Sequence, residues 1–310
     1  MTTHEHKIPL VIIQGPTASG KSELALRLAE HFDGEIVNAD SMQVYRGMDI
    51  GTAKPSREVR ERVPHHLFDI VEPDTPFSAA EFRERASRVI EDIHSRGKRI
   101  FFVGGTGLYI KVLTRGLVAS PGGDETLRSE LEARAEEEGS VALHAHLAAV
   151  DPVTADRLHP NDRLRVVRAL EVFHLTGRPL SSFHREHRFA DEPYHCLKLG
   201  IAVERECLYS RVDARVDRML AEGFVDEVRS LLAAGHASAC NAMGSIGYKE
   251  ICAHLAGEYP LEEAARLIKR NTRHYAKRQL TWFRKDSEII WVDYPGNFDS
   301  ILTTVMRFYH

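Results

Sequence analysis

The chain has 310 residues, 43% apolar and 28% charged, with a net charge of −4, ordinary figures for a soluble globular protein of about two domains at roughly 150 residues each. A chain of this size buries enough surface to need no disulfide or metal staple, and no run approaches the ~18 consecutive apolar residues of a membrane span. The composition excludes a disordered, collagenous or disulfide-scaffold chain, and the charge argues against a non-specific nucleic-acid coat.

Residues 1–7 are polar and the apolar run 8–13 is too short for a signal-peptide core, so a cytoplasmic protein without a membrane segment is expected. The apolar run Ile8–Gln14 stops at Gly15-Pro16 and reads as a buried parallel strand. Residues 21–32 place apolar side chains at 24, 25, 28 and 29, the stripe of a helix. Residues 35–39 read as a second strand ending at Asp40. Ser78 with Glu81 three residues on is a capping box that opens a helix to about 96. Residues 100–103 form a third strand, stopped by Gly104-Gly105. This alternation predicts an α/β protein, a parallel sheet flanked by helices.

The rhythm changes at Pro121-Gly122-Gly123, and from there to about 193 the periodicity is helical with no strand. Strands return at 197–203 and 288–292, and long helices at about 204–221 and 261–284. The expected organisation is a catalytic core from 1–120 and 196–310, interrupted by an all-helical domain over 121–195. The four cysteines, Cys196, Cys207, Cys240 and Cys252, lack metal or redox spacing and read as reduced, mostly buried small hydrophobes. Residues 261–285 carry eight basic side chains against two acids, in a chain that is acidic on balance. In that stretch Arg266, Lys269, Arg270, Arg273 and Lys277 repeat at helical spacing, a basic stripe suited to a folded polyanion such as a structured RNA. His65-His66 lacks a partner at metal-motif spacing and reads as packing or a turn.

Gly15, Pro16, Thr17, Ala18, Ser19, Gly20, Lys21 and Ser22 match GxxxxGK[ST] between a predicted strand and a predicted helix. The glycines let backbone N–H groups surround an anion, Lys21 adds a full charge, and the Ser22 hydroxyl can ligate Mg²⁺. The loop establishes phosphate binding without saying which phosphates. The apolar strand that would end in the second acid of an ATPase site ends instead in Gly104-Gly105-Thr106-Gly107. Asp40, at the carboxyl end of a parallel strand, faces the crevice where such folds bind ligands, and could hold metal or act as a base.

The residues also resemble a family. Gly15–Ser22, 40–55, 65–69, 77–82, 104–109, 159–162, 168–171, 176–179, 247–250 and 272–279 stand in the order and with the motifs of the bacterial tRNA dimethylallyltransferases, or tRNA isopentenyltransferases. The likeness spans about residues 8–285. Ser22 stands where many members have Thr, and Asp162-Arg163 where many read Asp-Pro-Gln. No cysteine follows Cys252, so the zinc finger of eukaryotic relatives has no counterpart and the bacterial form is the one resembled.

The resemblance implies a P-loop NTPase-like fold and transfer of a dimethylallyl group from dimethylallyl diphosphate to N6 of the adenine just 3′ of the anticodon. It implies that residues 17–22 cradle the diphosphate with Mg²⁺, that Arg215 adds charge, that Asp40 is the general base and that Thr106 positions the amino group. It further implies tRNA contacts from Asp40, Ser41, Met42, Gln43, Thr106, Arg128, Leu164, Arg165, Val166, Val167, Arg168, Gly244, Ser245, Ile246, Gly247, Tyr248 and Lys249. Gln43, with a donor and an acceptor, suits the edge of an adenine, and the helical insertion would grip the anticodon stem-loop. A monomer is expected. The rival readings are a P-loop small-molecule kinase, which explains neither the insertion nor the basic helix, and a nucleotide-dependent RNA-binding switch, which would need a water-positioning residue or switch region that the sequence does not show.

Overall fold

The computed structural model describes residues 7–117, 123–187 and 191–310; Pro121 and Gly122, where the change of rhythm was read, lie outside them. Strand β1 (Ile8–Gln14) is apolar up to its last residue because both faces of the sheet are covered. With β2 (Gly34–Asn38), β3 (His65–His66), β4 (Arg99–Gly104), β5 (Tyr194–Ala202) and β6 (Ile290–Asp293) it forms a six-stranded sheet in the order β3-β2-β4-β1-β5-β6. Every neighbouring pair is parallel.

The helices between β1 and β5 are α1 (Lys21–His31), α2 (Arg57–Arg62), α3 (Ala79–Ser95), α4 (Gly107–Arg115), α5 (Glu125–Glu137), α6 (Ser140–Val150), α7 (Pro152–Arg157), α8 (Arg163–Thr176) and α9 (Leu180–His187). After β5 come α10 (Arg205–Ala221), α11 (Phe224–Ala233), α12 (Tyr248–Leu255), α13 (Leu261–Phe283) and α14 (Phe298–Tyr309). Alternation within the strands divides the sheet's faces: Val11, Ile13, Phe101 and Val103 pack with Leu24 and Leu28 of α1 and Ile301 and Val305 of α14. Phe102 faces the other way, toward Phe82 of α3, which stacks on Tyr109 at 3.8 Å.

The chain divides into two units, Met1–Thr114 with Glu192–His310, and Arg115–Asp191. The second is all helix among its described residues. Its core is Leu131, Leu143, Leu147, Val166, Val167 and Leu170. The divisions fall at 114/115 and 191/192 rather than at 120/121 and 195/196, because they follow packing and not the Pro-Gly-Gly composition.

Three further differences have physical causes. β3 is only two residues long, too short to show a period, and His66 is held there by Glu35 at 2.7 Å. The second strand starts one residue earlier than expected, at Gly34, where a side chain would collide with Phe101. None of the cysteines is fully buried, and Cys207 is exposed on α10. No helix among the described residues is long and apolar enough to cross a membrane.

Candidate active site

The loop Gly15–Ser22 joins β1 to α1, and α1 starts after Gly20 with no side-chain cap, leaving its first N–H groups to a ligand. Lys21 Nζ donates to the Pro16 carbonyl at 2.6 Å. Burial pushes the Lys21 ammonium down to about 7; the charge of Asp40 opposes that shift and Arg215 adds to it. Arg215, on α10, is likewise lowered by burial and sustained by Asp40, and donates to the Thr52 carbonyl at 3.1 Å.

Asp40 follows β2 in an Asx turn: its own N–H donates to Asn38 Oδ1 at 2.9 Å, and its Oδ1 accepts from Met42 N at 2.9 Å. Thr106 is brought against it by the close pass of β4. A Cβ at Gly104 would lie 2.2 Å from the Ala39 oxygen, so only glycine lets the two strand ends meet there. Across that gap Thr106 N donates to the Ala39 carbonyl at 3.2 Å and Ser41 N donates to Thr106 Oγ1 at 3.0 Å.

Two cavities in the α/β unit share Arg215 and Met219. One, of about 640 Å³, is cationic, with Lys21, Lys54, Arg57, Arg60, Arg215 and Arg218 in its lining together with the start of α1. The other, of about 340 Å³, is mostly apolar, walled by Val212, Val216, Phe224, Tyr248 and Ile268, with Thr17, Asp40 and Ser41 among its polar groups. A charged compartment adjoins an apolar one, with a carboxylate beside their shared wall.

The sequence assigned no role to several of these supports. Gln279 of α13 accepts from Thr17 N at 2.8 Å and donates to the Gly105 carbonyl at 2.9 Å, tying the phosphate loop to the Thr106 turn. Glu227 of α11 accepts from Asp49 N, Ile50 N, Gly51 N and the Tyr248 hydroxyl, at 2.6–3.1 Å. Tyr275 and Arg278 line the apolar cavity. Positions 275, 278 and 279 belong to the 272–279 motif and share a helical spacing with 282, which marks the segment without assigning these contacts.

The residues expected to touch RNA separate into groups. Asp40, Ser41, Met42, Gly244, Ser245, Ile246, Gly247 and Tyr248 line the apolar cavity. Tyr248, 1% exposed, forms a wall of that cavity and not part of the outer surface. Lys249 projects instead beside Glu250, at 3.7 Å. Gln43 spends its Nε2 on the Thr52 and Ala53 carbonyls, so its donor half is not offered to an adenine.

In the helical unit Val166 and Val167 are core residues, at 1% and 2% exposure, and cannot meet RNA, because the helix turns them inward while Leu164 and Arg165 stay exposed. Arg128 and Arg168 converge on the fully buried Glu171, at 3.1 and 2.7 Å. Along the basic stripe of α13, Lys269 pairs with Asp217 at 2.6 Å, Arg273 with Asp213 at 2.9 Å, and Arg266 with Glu263 at 2.6 Å. Much of that stripe is an interhelical seam.

Among the described residues no group of three or more His, Cys, Asp or Glu could hold a metal. Mg²⁺ needs no such cage; a hydroxyl, one or two further oxygens, waters and substrate phosphates suffice. The exposed Ser22 hydroxyl at the lip of the cationic cavity fits that donor set.

A phosphate loop, a strand-end carboxylate and an apolar chamber on a parallel sheet define a group-transfer enzyme of P-loop-like fold. Residues 43–286 match the family model described as IPP transferase, and the chain belongs to that family. It is similar, at 73% identity over 306 residues and 99% of both chains, to the tRNA dimethylallyltransferase of Geobacter metallireducens. The Geobacter sulfurreducens enzyme of the same name is 68% identical over 98% of this chain and 97% of its own. Among solved structures, the tRNA isopentenylpyrophosphate transferase of Bacillus halodurans superposes with a TM-score of 0.72 at 42% identity, covering 97% of each chain. A eukaryotic dimethylallyltransferase acting on tRNA gives 0.79 at 30% identity, over 96% of this chain and 77% of that one.

Proposed function

We propose that the chain is a cytoplasmic, monomeric tRNA dimethylallyltransferase that moves a dimethylallyl group from dimethylallyl diphosphate to N6 of the adenine 3′-adjacent to the anticodon. The observation that carries this reading is the pair of adjoining cavities that share Arg215, with Asp40 lining the apolar one and Thr106 bonded to Ser41 of that lining. The diphosphate occupies the cationic side, against the loop amides, Lys21 and Arg215. The five-carbon chain occupies the apolar side. As the allylic C–O bond breaks, the bonding pair leaves with the diphosphate, and the preplaced cations favour that charge more than they favour the bound substrate. The adenine amine is a poor nucleophile because its lone pair is delocalised into the ring. Asp40 takes its proton as the N6–C bond forms, and Thr106, bonded to the Ser41 amide, orients the amine. Ser22 would hold Mg²⁺, which supplies further neutralisation of the departing diphosphate.

The helical unit serves as the grip on the anticodon arm, with Leu164 and Arg165 outermost, and the target base leaves its stack to reach Asp40. A kinase reading is not favoured, since full-length relatives are transferases and an apolar chamber suits a prenyl chain. The test is one incubation of the protein and bulk tRNA with labelled dimethylallyl diphosphate, run beside labelled ATP. Label in tRNA is expected. Label from ATP in a small product, with none in tRNA, would overturn the proposal.

A further inference from the structure

Residues 49–54 contribute to both cavities, Asp49, Ile50, Ala53 and Lys54 to the cationic one and Gly51 and Thr52 to the apolar one. The segment is fastened at both ends. At one end the buried Lys54 ammonium donates to the Tyr45 carbonyl and to the carboxylates of Asp49 and Asp69, at 2.5–2.7 Å. At the other, the first turn of α11 presents Phe224 and Glu227. A Cβ at Gly51 would lie 2.2 Å from the Phe224 ring, so backbone rests directly on it. Glu227 Oε2 accepts from Asp49 N at 2.9 Å and Ile50 N at 2.6 Å, and Oε1 from Gly51 N at 3.1 Å and the Tyr248 hydroxyl at 2.6 Å. Three consecutive amides and a phenol thus converge on one carboxylate, a cradle of charge-assisted bonds. What this anchoring delivers is the Thr52 carbonyl. It accepts from Arg215 Nη2 at 3.1 Å and from Gln43 Nε2 at 3.0 Å. The Arg215 guanidinium is therefore held by a neutral backbone oxygen, whose place depends on the turn around it. Ala53, the next residue, has a φ of 49°, a conformation that a residue with a side chain keeps only when its surroundings impose it.

We propose that Glu227 is a positioning residue for the transfer: through the amides of residues 49–51 it fixes the Thr52 carbonyl, and so aims the Arg215 guanidinium at the departing diphosphate. This rests on the assignment of Arg215 to the diphosphate above and adds to it the residue that sets its aim. Glu227 itself lines neither cavity, so it acts through backbone and not on substrate. The role needs a carboxylate. A glutamine would turn its NH₂ either toward the Asp49 and Ile50 amides or toward the Gly51 amide, and donor would face donor in both orientations. Displacing a charged group by about 1 Å at a reacting centre costs on the order of 10²-fold in rate.

The experiment is a double-mutant cycle on the full chain, with Glu227→Gln and Arg215→Ala made singly and together. Single-turnover transfer from dimethylallyl diphosphate to tRNA and the melting temperature are measured for each. Arg215→Ala alone should slow transfer by about 10²–10³-fold. Glu227→Gln alone should slow it by about 10- to 100-fold in protein that still melts cooperatively. In the Arg215→Ala background the same substitution should cost less than about threefold, because the group it positions is gone. Equal fold-losses in the two backgrounds overturn the proposal, since a mere prop for the fold or for the apolar cavity acts whether or not Arg215 is present. So does a folded Glu227→Gln that transfers at the normal rate. If Glu227→Gln does not fold, Glu227→Asp, which keeps the charge and withdraws it by one methylene, takes its place in the cycle, with the same non-additivity expected. An Arg215→Ala that transfers normally removes Arg215 from the mechanism, and this proposal with it. No transfer to tRNA by the unmodified protein overturns the transferase reading itself.

Discussion

In the α/β unit Lys21 and Arg215 are desolvated beside Asp40 yet donate to neutral carbonyls, of Pro16 and Thr52. In the helical unit Arg128 and Arg168 are drawn onto one buried carboxylate, Glu171, which also accepts the Asp124 N–H at 2.9 Å. The first arrangement keeps positive charge available to a ligand; the second consumes it in holding α5 to α8. What distinguishes a binding cation from a structural one is therefore the partner it already has, more than its burial or its place in a motif.

The widest test of that contrast is Asp40→Asn. It keeps the Asx turn and the shape of the site but cannot take a proton. The single-turnover rate should fall by about 10²–10⁴, or roughly 3–5 kcal/mol of barrier, with diphosphate affinity nearly unchanged. A large loss of diphosphate affinity that excess Mg²⁺ repairs would make Asp40 a metal ligand instead.

The second test concerns charge held in reserve at Lys21. Burial has lowered its pKa to about 7, so above that pH the free site holds a neutral amine. A bound diphosphate favours the ammonium, so binding takes up a proton and affinity falls as pH rises from 7 to 9, by up to about tenfold per unit. Calorimetry in two buffers of different ionisation enthalpy should show the uptake. Lys21→Arg should abolish it, and a pH-independent affinity in the unmodified protein would refute it.

The third test sets Glu171 against Arg165. Burial alone would raise the Glu171 carboxyl, but the bonds from Arg168 and the Asp124 amide, with the charge of Arg128, hold it below the usual range. A depressed carboxylate contributes stability above its unfolded pKa and loses it as pH falls through the folded value, so its contribution disappears in acid, below about pH 4. Glu171→Ala removes the buried carboxylate on which Arg128, Arg168 and the Asp124 amide converge and should destabilise the helical unit by about 3 kcal/mol, read by melting or limited proteolysis. Arg165, exposed and paired among the described residues with Asp162 of its own helix turn, should behave oppositely. Arg165→Ala should leave stability unchanged, weaken tRNA binding modestly and lower its salt slope by about one.

The parts legible in the sequence are the local ones. The strand, loop and helix around Gly15–Ser22 announce themselves because turn chemistry and periodicity act over a few residues. Asp40 and Thr106 could be singled out as strand ends, and the fold class followed from the alternation. Pairings across the chain were not legible. Nothing near Glu227 marks it as a clamp, and although Gln279 closes the 272–279 motif, a helical Gln has the same local signature whether it faces water or a distant loop. Likewise the stripe from Arg266 to Lys277 shows its spacing but not the aspartates of α10 that occupy two of its members. Val166 and Val167 entered the expected RNA contacts as part of a contiguous motif, whereas a helix presents only some of any five residues to one side.

The register of β1 bears on how the protein is made. Its residues pair from Ile8 with Tyr194 to Gln14 with Gly200 on one side, and with β4 on the other. During synthesis, therefore, the strand that carries the phosphate loop has an open edge until the ribosome has passed the whole helical unit. That unit, built from contacts among neighbouring helices, has the local wiring that folds early, while long-range parallel pairing is slow. The nascent enzyme would thus complete its helical unit before its sheet closes, and a sheet edge left open for that interval is the place where a chaperone would be most useful.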